Sequence, residues 1–135
     1  MTYALAAGLQ AAVYDRLARD PDLRALRVAV HDALPAGTPP GTFAVLGPEE
    51  ALDRSDASGA GAEHRLRVSV YSNAAGFQGA KEAAAAVSDA LLAPEVPELP
   101  RGRVVGVWFQ RAVAVRERTG GARRIDLIFR IRVED

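Results

Sequence analysis

The chain has 135 residues, of which 49% are hydrophobic and 25% charged, and these values are typical of one folded globular domain. It contains no cysteine, which excludes a disulfide framework, a thiolate zinc site and a cysteine nucleophile. No apolar run approaches the ~20 residues of a membrane span, and no charged-then-apolar leader precedes the first helix. We therefore expect a soluble protein that is not exported by these routes.

The net charge is zero, but the charges are unevenly distributed. Residues 1–100 carry 8 basic and 13 acidic side chains, whereas residues 101–135 carry 9 basic and 4 acidic ones. The first part of the chain is thus acidic and the last part basic. This asymmetry favours contact between unlike surfaces of neighbouring copies over binding to nucleic acid.

The first half of the sequence predicts one helix and two short strands. Apolar residues at three- and four-residue spacing predict an amphipathic helix over 4–19, which Pro21 ends. Alternation predicts a short strand over 27–32. A Pro- and Gly-rich loop then leads to a second strand over 42–46, which Gly47-Pro48 ends.

Residues 50–62 have almost no apolar anchor and include several acidic, serine and glycine residues. We predict a long mobile loop of about a dozen residues here, a length that is uncommon unless the loop is functional or disordered.

The second half predicts three more strands and a second helix. Strict alternation predicts a strand over 63–72, and an apolar stripe predicts a helix over 77–92. An extended linker with three prolines follows. Val105, Val107, Phe109, Val113 and Val115 are expected to share one face of a hairpin strand. A turn at 119–121 joins it to an alternating strand over 125–133.

This order of elements, α-β-β-β-α-β-β, predicts an α+β fold. We expect two layers, with a mainly antiparallel sheet of about five strands and two helices packed on one face. The C-terminal hairpin is expected to lie beside the strand at 64–72.

No catalytic, cofactor-binding or metal-binding residues are predicted. The segment from Gly76 to Lys81 lacks the glycine and lysine spacing of a phosphate-binding loop. His31 and His64, each beside an acid (Asp32 and Glu63), lack further ligands at close spacing, and both are interpreted as surface residues. No Gly-x-Ser-x-Gly motif of a nucleophilic serine occurs.

The outward side chains of the strands form the only distinctive pattern. Arg65, Arg67 and Tyr71 are expected to lie on a basic sheet face together with Arg130 and Arg132. Trp108 falls on the opposite face from Val107 and Phe109, where water is expected. Either the long loop or another subunit would cover it.

The order of several segments resembles the tail-completion protein family of tailed phages and gene transfer agents, also described as DUF3168-type. The similar segments are Thr2-Tyr3-Ala4-Leu5 and its helix, residues 30–35 (VHDALP), residues 43–48 (FAVLGP), residues 63–72 (EHRLRVSVYS), a Gly76-containing helix that ends at Ala90-Leu91, and residues 129–134 (FRIRVE). One departure is His31, where such proteins often carry an aromatic residue before the Asp.

The resemblance implies a structural protein and not an enzyme. Such proteins are similar to tail terminators, which form a hexameric ring on the last ring of the tail tube, stop tube polymerisation and dock the head-side connector. The implied partners are other copies of the chain, the tail-tube protein and the connector or stopper, with DNA only as cargo through the lumen. Assembly would occur in the cytoplasm, and the protein would then lie at the head-proximal end of the tail.

The residues expected at such interfaces combine the loop and the sheet face: Asp53, Arg54, Asp56, Arg65, Arg67, Tyr71, Trp108, Arg130 and Arg132. Two alternatives remain open at this point. One is a head–tail connector or stopper of the same particle. The other is a nucleic-acid-binding α+β module that uses the basic sheet face and whose affinity falls steeply with salt.

Overall fold

The structure is a computed structural model that describes residues 3–37, 40–73, 76–116 and 122–135. It contains three helices and five strands in the described part of the chain. In order these are α1 (Ala6–Arg19), α2 (Pro21–Ala25), β1 (Ala29–His31), β2 (Thr42–Asp53), β3 (Gly61–Ser72), α3 (Gln78–Leu91), β4 (Arg103–Arg116) and β5 (Arg123–Glu134). The predicted turn at 119–121 lies outside the described residues.

The strands form one sheet in the order β1-β2-β3-β5-β4. All neighbouring pairs are antiparallel except β1 and β2, which are parallel. The predicted α+β class is therefore confirmed, and so is the position of the C-terminal hairpin, because β5 pairs with β3 along its whole length.

One core joins the helices to a single face of the sheet. It contains Leu9, Val13 and Leu17 of α1, an alanine-rich stripe of α3, and alternate residues of β3 and β5, among them Phe129, which is completely buried. Alanines let α3 approach the sheet closely, since they add no side chain beyond Cβ. The other face of the sheet carries none of the described helices, and we call it the open face.

The short helix α2 was not predicted. Pro21 does end the α1 pattern, but it also occupies the first turn of α2, where its missing amide proton costs nothing. Asp20 caps the new helix by accepting a hydrogen bond from Leu23 N at 3.0 Å. Arg27, with a φ of 58°, then delays the start of β1 to Ala29.

The predicted end of the second strand at Gly47-Pro48 is wrong, because β2 continues to Asp53. The pairing with β3 shifts register between Leu46 and Glu49, and Gly47 and Pro48 lie in that irregularity. Proline has no amide to donate, so an interruption of the ladder is where a strand tolerates it.

The predicted bounds of the 50–62 loop are wrong for the same reason. Residues 50–53 belong to β2 and residues 61–62 to β3, which leaves only residues 54–60 as the connection. Asp56 pairs with Gly59 as an isolated bridge, so the connection is the tip of a β2–β3 hairpin.

The predicted common face of the β4 valines is also wrong. The pairing with β5 shifts once between Val104 and Gly106 and again between Phe109 and Arg111. Each shift inserts one residue and reverses the alternation that follows. Val107 and Phe109 therefore face the helices, whereas Val113 and Val115 lie on the open face.

Candidate functional site: the open face of the sheet

The open face gathers most of the residues that sequence reasoning selected. The pairing register shows which side chains lie on this face, because successive side chains of a strand point to opposite faces and paired residues share a face. β3 pairs Arg65 with Arg130 and Tyr71 with Arg124, and β4 pairs Trp108 with Arg130. The predicted residues on this face are Arg65, Arg67, Tyr71, Trp108, Arg130 and Arg132.

A buried carboxylate organises one half of the open face. Glu63 is only 7% exposed, and three guanidinium groups surround it. The distances to its oxygens are 3.2 Å from Arg65 Nε, 3.7 Å from Arg130 NH1 and 4.0 Å from Arg54 NH2. Arg65 NH1 also lies 3.4 Å from Glu50 Oε1, so three arginines face two carboxylates and the cluster keeps an excess of positive charge.

Sequence alone marks Glu63 only as the acid beside His64, so its role in the cluster was missed. Its partners come from its own strand, from β5 and from the hairpin tip, which no sequence spacing brings together. The sequence did contain one signal for this role: Glu63 is in phase with Arg65 and Arg67 on the outward side of an arginine-rich strand.

Trp108 adds an aromatic surface next to this cluster. The guanidinium carbon of Arg130 lies 4.9 Å from the centre of the Trp108 ring, a cation–π arrangement. The ring also lies over Gly106, where an added Cβ would stand 2.6 Å from the indole. Trp108 nevertheless remains 43% exposed, so the hairpin tip does not cover it, and cover by another subunit stays a prediction.

The other three predicted residues lie in the hairpin tip or directly before it. Asp53 ends β2, and its carboxylate accepts hydrogen bonds from Ser55 N and Ser55 Oγ. Asp56 Oδ1 accepts from Ser58 N, Ser58 Oγ and Gly59 N at 2.8–3.0 Å. These hydrogen bonds lower the pKa of both carboxyl groups, those from the serines contributing most. Arg54 joins the tip to Glu63.

We expect Asp56→Ala to loosen the tip without unfolding the domain. The substitution removes the acceptor for the Ser58 and Gly59 amides, which should exchange several-fold faster with deuterium while β3 amides stay protected. Because the pKa is lowered, the ionised carboxylate stabilises the tip fully above the unfolded value near 3.8 and loses this effect as pH falls through the folded value. In the unchanged protein, the protection factors of the Ser58 and Gly59 amides, which compare their exchange with the intrinsic rate at each pH, should therefore fall only in that acid range. Equal exchange in the variant and the parent would contradict this assignment.

The other half of the open face is aromatic. The rings of Tyr71 and Phe43 stack with centroids 4.9 Å apart, and the rings of His31 and Phe43 form a T-shaped pair with centroids 5.8 Å apart. Arg67 lies between the two halves of the face. Its Nε is buried and has no hydrogen-bond partner among the described residues.

Comparison with known proteins supports the resemblance noted from the sequence. The profile of the tail completion protein gp17 family matches residues 11–134. The chain belongs to this family. A chain of a solved structure described as the virion of a native gene transfer agent particle is 54% identical to it, with a TM-score of 0.90, over 99% of this chain and 100% of that chain. No curated protein matches.

Membership of the tail completion family makes the chain a structural tail protein. Among the described residues, no group of three or more His, Asp or Glu side chains is placed to hold a metal ion, and no helix is long and apolar enough to cross a membrane.

The prediction that His64 lies at the surface is wrong, since its side chain is completely buried. β3 begins at Gly61, so His64 is in phase with the inward residues Leu66 and Val68. Its Nδ1 lies 3.1 Å from Glu49 Oε1, while Nε2 has no partner in the described part of the chain. His64 thus belongs to the interior and not to the open face.

Proposed function

We propose that this tail completion protein caps the tail tube as a ring, stops tube polymerisation and offers the head-side connector a docking surface. Its family and its similarity to a chain of a gene transfer agent virion support this proposal. In the proposed particle, DNA passes through the ring only as cargo. Assembly takes place in the cytoplasm, and the ring then stays at the head-proximal end of the tail.

The observation that carries the proposal is the open face itself. A sheet face without helices is normally polar, but this one presents an exposed tryptophan stacked on Arg130 beside a buried carboxylate. Tryptophan, tyrosine and arginine are the residues that dominate the energy of protein–protein contacts. An uncovered cluster of these types in a tail protein suits a protein partner.

The chemistry of the face favours the tube protein as that partner. The excess of guanidinium groups around Glu63 is complementary to a partner surface that carries carboxylates. The flat ring of Trp108 is complementary to an apolar patch next to those carboxylates. The hairpin tip, with Arg54 and Asp56, and the adjoining Asp53 lie at the same end of the sheet and extend the contact surface.

The nucleic-acid alternative is less well supported. Arg65 and Arg130 are engaged by Glu63, and Arg124 is engaged by Asp126 at 3.2 Å. One face of the Tyr71 ring is covered by Phe43, so it is not free to stack on a base. Binding of this kind would also fall steeply with salt, which a titration with DNA would show directly.

We expect the hairpin tip to be needed for capping but not for folding. Replacing residues 55–60 by Asn-Gly should keep the 2.8 Å hydrogen bond from Arg54 N to Gly61 O. This bond would then be the last one of the ladder before a two-residue turn. The shortened protein should unfold at nearly the same temperature as the parent. Tails assembled with it should be longer than normal and variable in length, as measured by electron microscopy.

A same-length variant, Ala57→Ser, is the matched control because it keeps the whole tip. It should yield tails of normal length. A shortened variant that folds and also yields tails of normal length would contradict the role of the tip.

A further inference from the structure

An apolar groove lies on the helix side of the sheet, away from the open face. Its walls are α3, through Ala84 and Ala85, and the edge strand β4, through Phe109 and Ala112. Leu127 of β5 contributes to its lining, and its volume is about 390 Å³. Phe109 lies on this edge strand and is 46% exposed. The groove therefore exposes apolar surface that the monomer itself does not cover.

The opposite edge of the sheet carries a protruding apolar residue. Leu34 follows β1 and is 64% exposed, the highest value among the large apolar side chains of the described residues. Register carried across the sheet places the end of β1 level with the groove. His31 pairs with Val45, Val45 with Ser69, Ser69 with Asp126, and Asp126 with Val113. Val113 lies between the groove residues Ala112 and Ala114.

The two edges are also complementary in charge. β4 contains three arginines and no acid, whereas the opposite edge strand β1 and the residue after it contain His31 and Asp32 but no arginine or lysine. Lys81 lines the groove, and Asp32 lies two residues before Leu34. Among the described residues, neither Lys81 nor Asp32 has an ion-pair partner.

We propose that the groove between α3 and β4 of one copy receives Leu34 of the next copy, with Lys81 facing Asp32. This inference rests on the proposed ring and identifies the two surfaces that build it. A closed ring needs a heterologous contact, in which one surface meets a different surface of its neighbour. Opposite edges of one sheet at the same level supply such a pair, and the open face stays free for other partners.

A disulfide trap tests the contact. The chain has no cysteine, so Leu34→Cys with Ala112→Cys introduces a single defined pair. Four strand spacings separate the two edges, about 19 Å, which is too far for a bond within one copy. Both positions are exposed, so the double variant should fold. Under oxidation it should form a ladder of covalent oligomers, both at high protein concentration and on tail tubes.

The controls separate specific contact from collision. Each single variant yields at most a covalent dimer, and Leu34→Cys with Asp89→Cys, on the exposed side of α3, should yield no ladder. As a second readout, Lys81→Glu should reduce oligomer formation by at least about tenfold, since it places like charges together. Adding Asp32→Lys should restore it.

The outcomes distinguish this inference from the proposed function. Tube capping without the ladder overturns the edge contact and leaves the capping role intact. A ladder without tube capping supports the contact and overturns the capping role. The absence of both overturns both. A ladder on tubes that charge reversal weakens and charge exchange restores supports both.

Discussion

Trp108→Ala is expected to weaken binding to tail tubes by roughly 30- to 1,000-fold. A central tryptophan in a protein contact contributes about 2–4 kcal/mol, which corresponds to that range of dissociation constants. The substitution also removes the ring on which Arg130 stacks. Co-sedimentation with preassembled tubes measures the affinity, and electron microscopy should show tails that exceed the normal length.

Leu92→Ala is the matched control for this prediction. Leu92 caps the end of α3 and is 41% exposed, close to the value for Trp108, but it lies away from the open face. We expect its tube affinity to be unchanged within about threefold, since surface substitutions away from a contact have small effects. If Trp108→Ala capped tubes as well as Leu92→Ala, the open face would not be the tube-binding surface.

Glu63→Ala is expected to destabilise the domain by about 2 kcal/mol. It removes a buried carboxylate and leaves three guanidinium groups close together without their shared partner. The arginines are partly exposed, so water relieves part of the repulsion and the loss stays below that of a fully buried pair. For a domain of this size the unfolding temperature should fall by roughly 5–10 °C.

Chemical denaturation followed by circular dichroism measures this loss. Glu82→Ala is the control, because Glu82 lies exposed on α3 and only accepts a hydrogen bond from Gln78. Its stability should change by no more than about 0.5 kcal/mol. Equal stability of the two variants would mean that Glu63 does not hold the arginine cluster together.

The parts of the fold that the sequence predicted are those with uninterrupted periodicity. The alternation of Leu66, Val68 and Val70 identified β3, and the three- and four-residue spacing of Leu9 and Val13 identified α1. These patterns persist because one face of each element packs into the core. The outward arginines of β3 and β5 could be placed on one sheet face for the same reason.

The failures lie where pairing between strands changes the alternation. Neither shift in β4 leaves a mark in the sequence that fixes its position, so Val113 was assigned to the wrong face. The irregularity at Gly47-Pro48 was interpreted as a strand end because proline and glycine usually interrupt strands. That interpretation also made the hairpin tip appear twice as long as it is.

The candidate site was predicted only in part, since its centre depends on tertiary contacts. Arg65, Arg130 and Trp108 were selected from strand phase, but Glu63, which holds two of them, was not. The predicted strand over 63–72 already placed His64 in phase with the inward Leu66, but His64 was interpreted as a surface residue because it stands at the start of the strand. The groove and Leu34 were not predicted, because their relation depends on the strand order, which places them at opposite edges of the sheet.

The central claim is that this protein acts as a ring on the end of the tail tube. The most direct test is its mass in solution across concentration, alone and with tail-tube protein, by light scattering and native mass spectrometry. The account predicts a closed homo-oligomer bound at tube ends. If the protein acts like a tail terminator, this oligomer has six copies. A protein that remains a monomer at all concentrations and leaves tubes uncapped would contradict it.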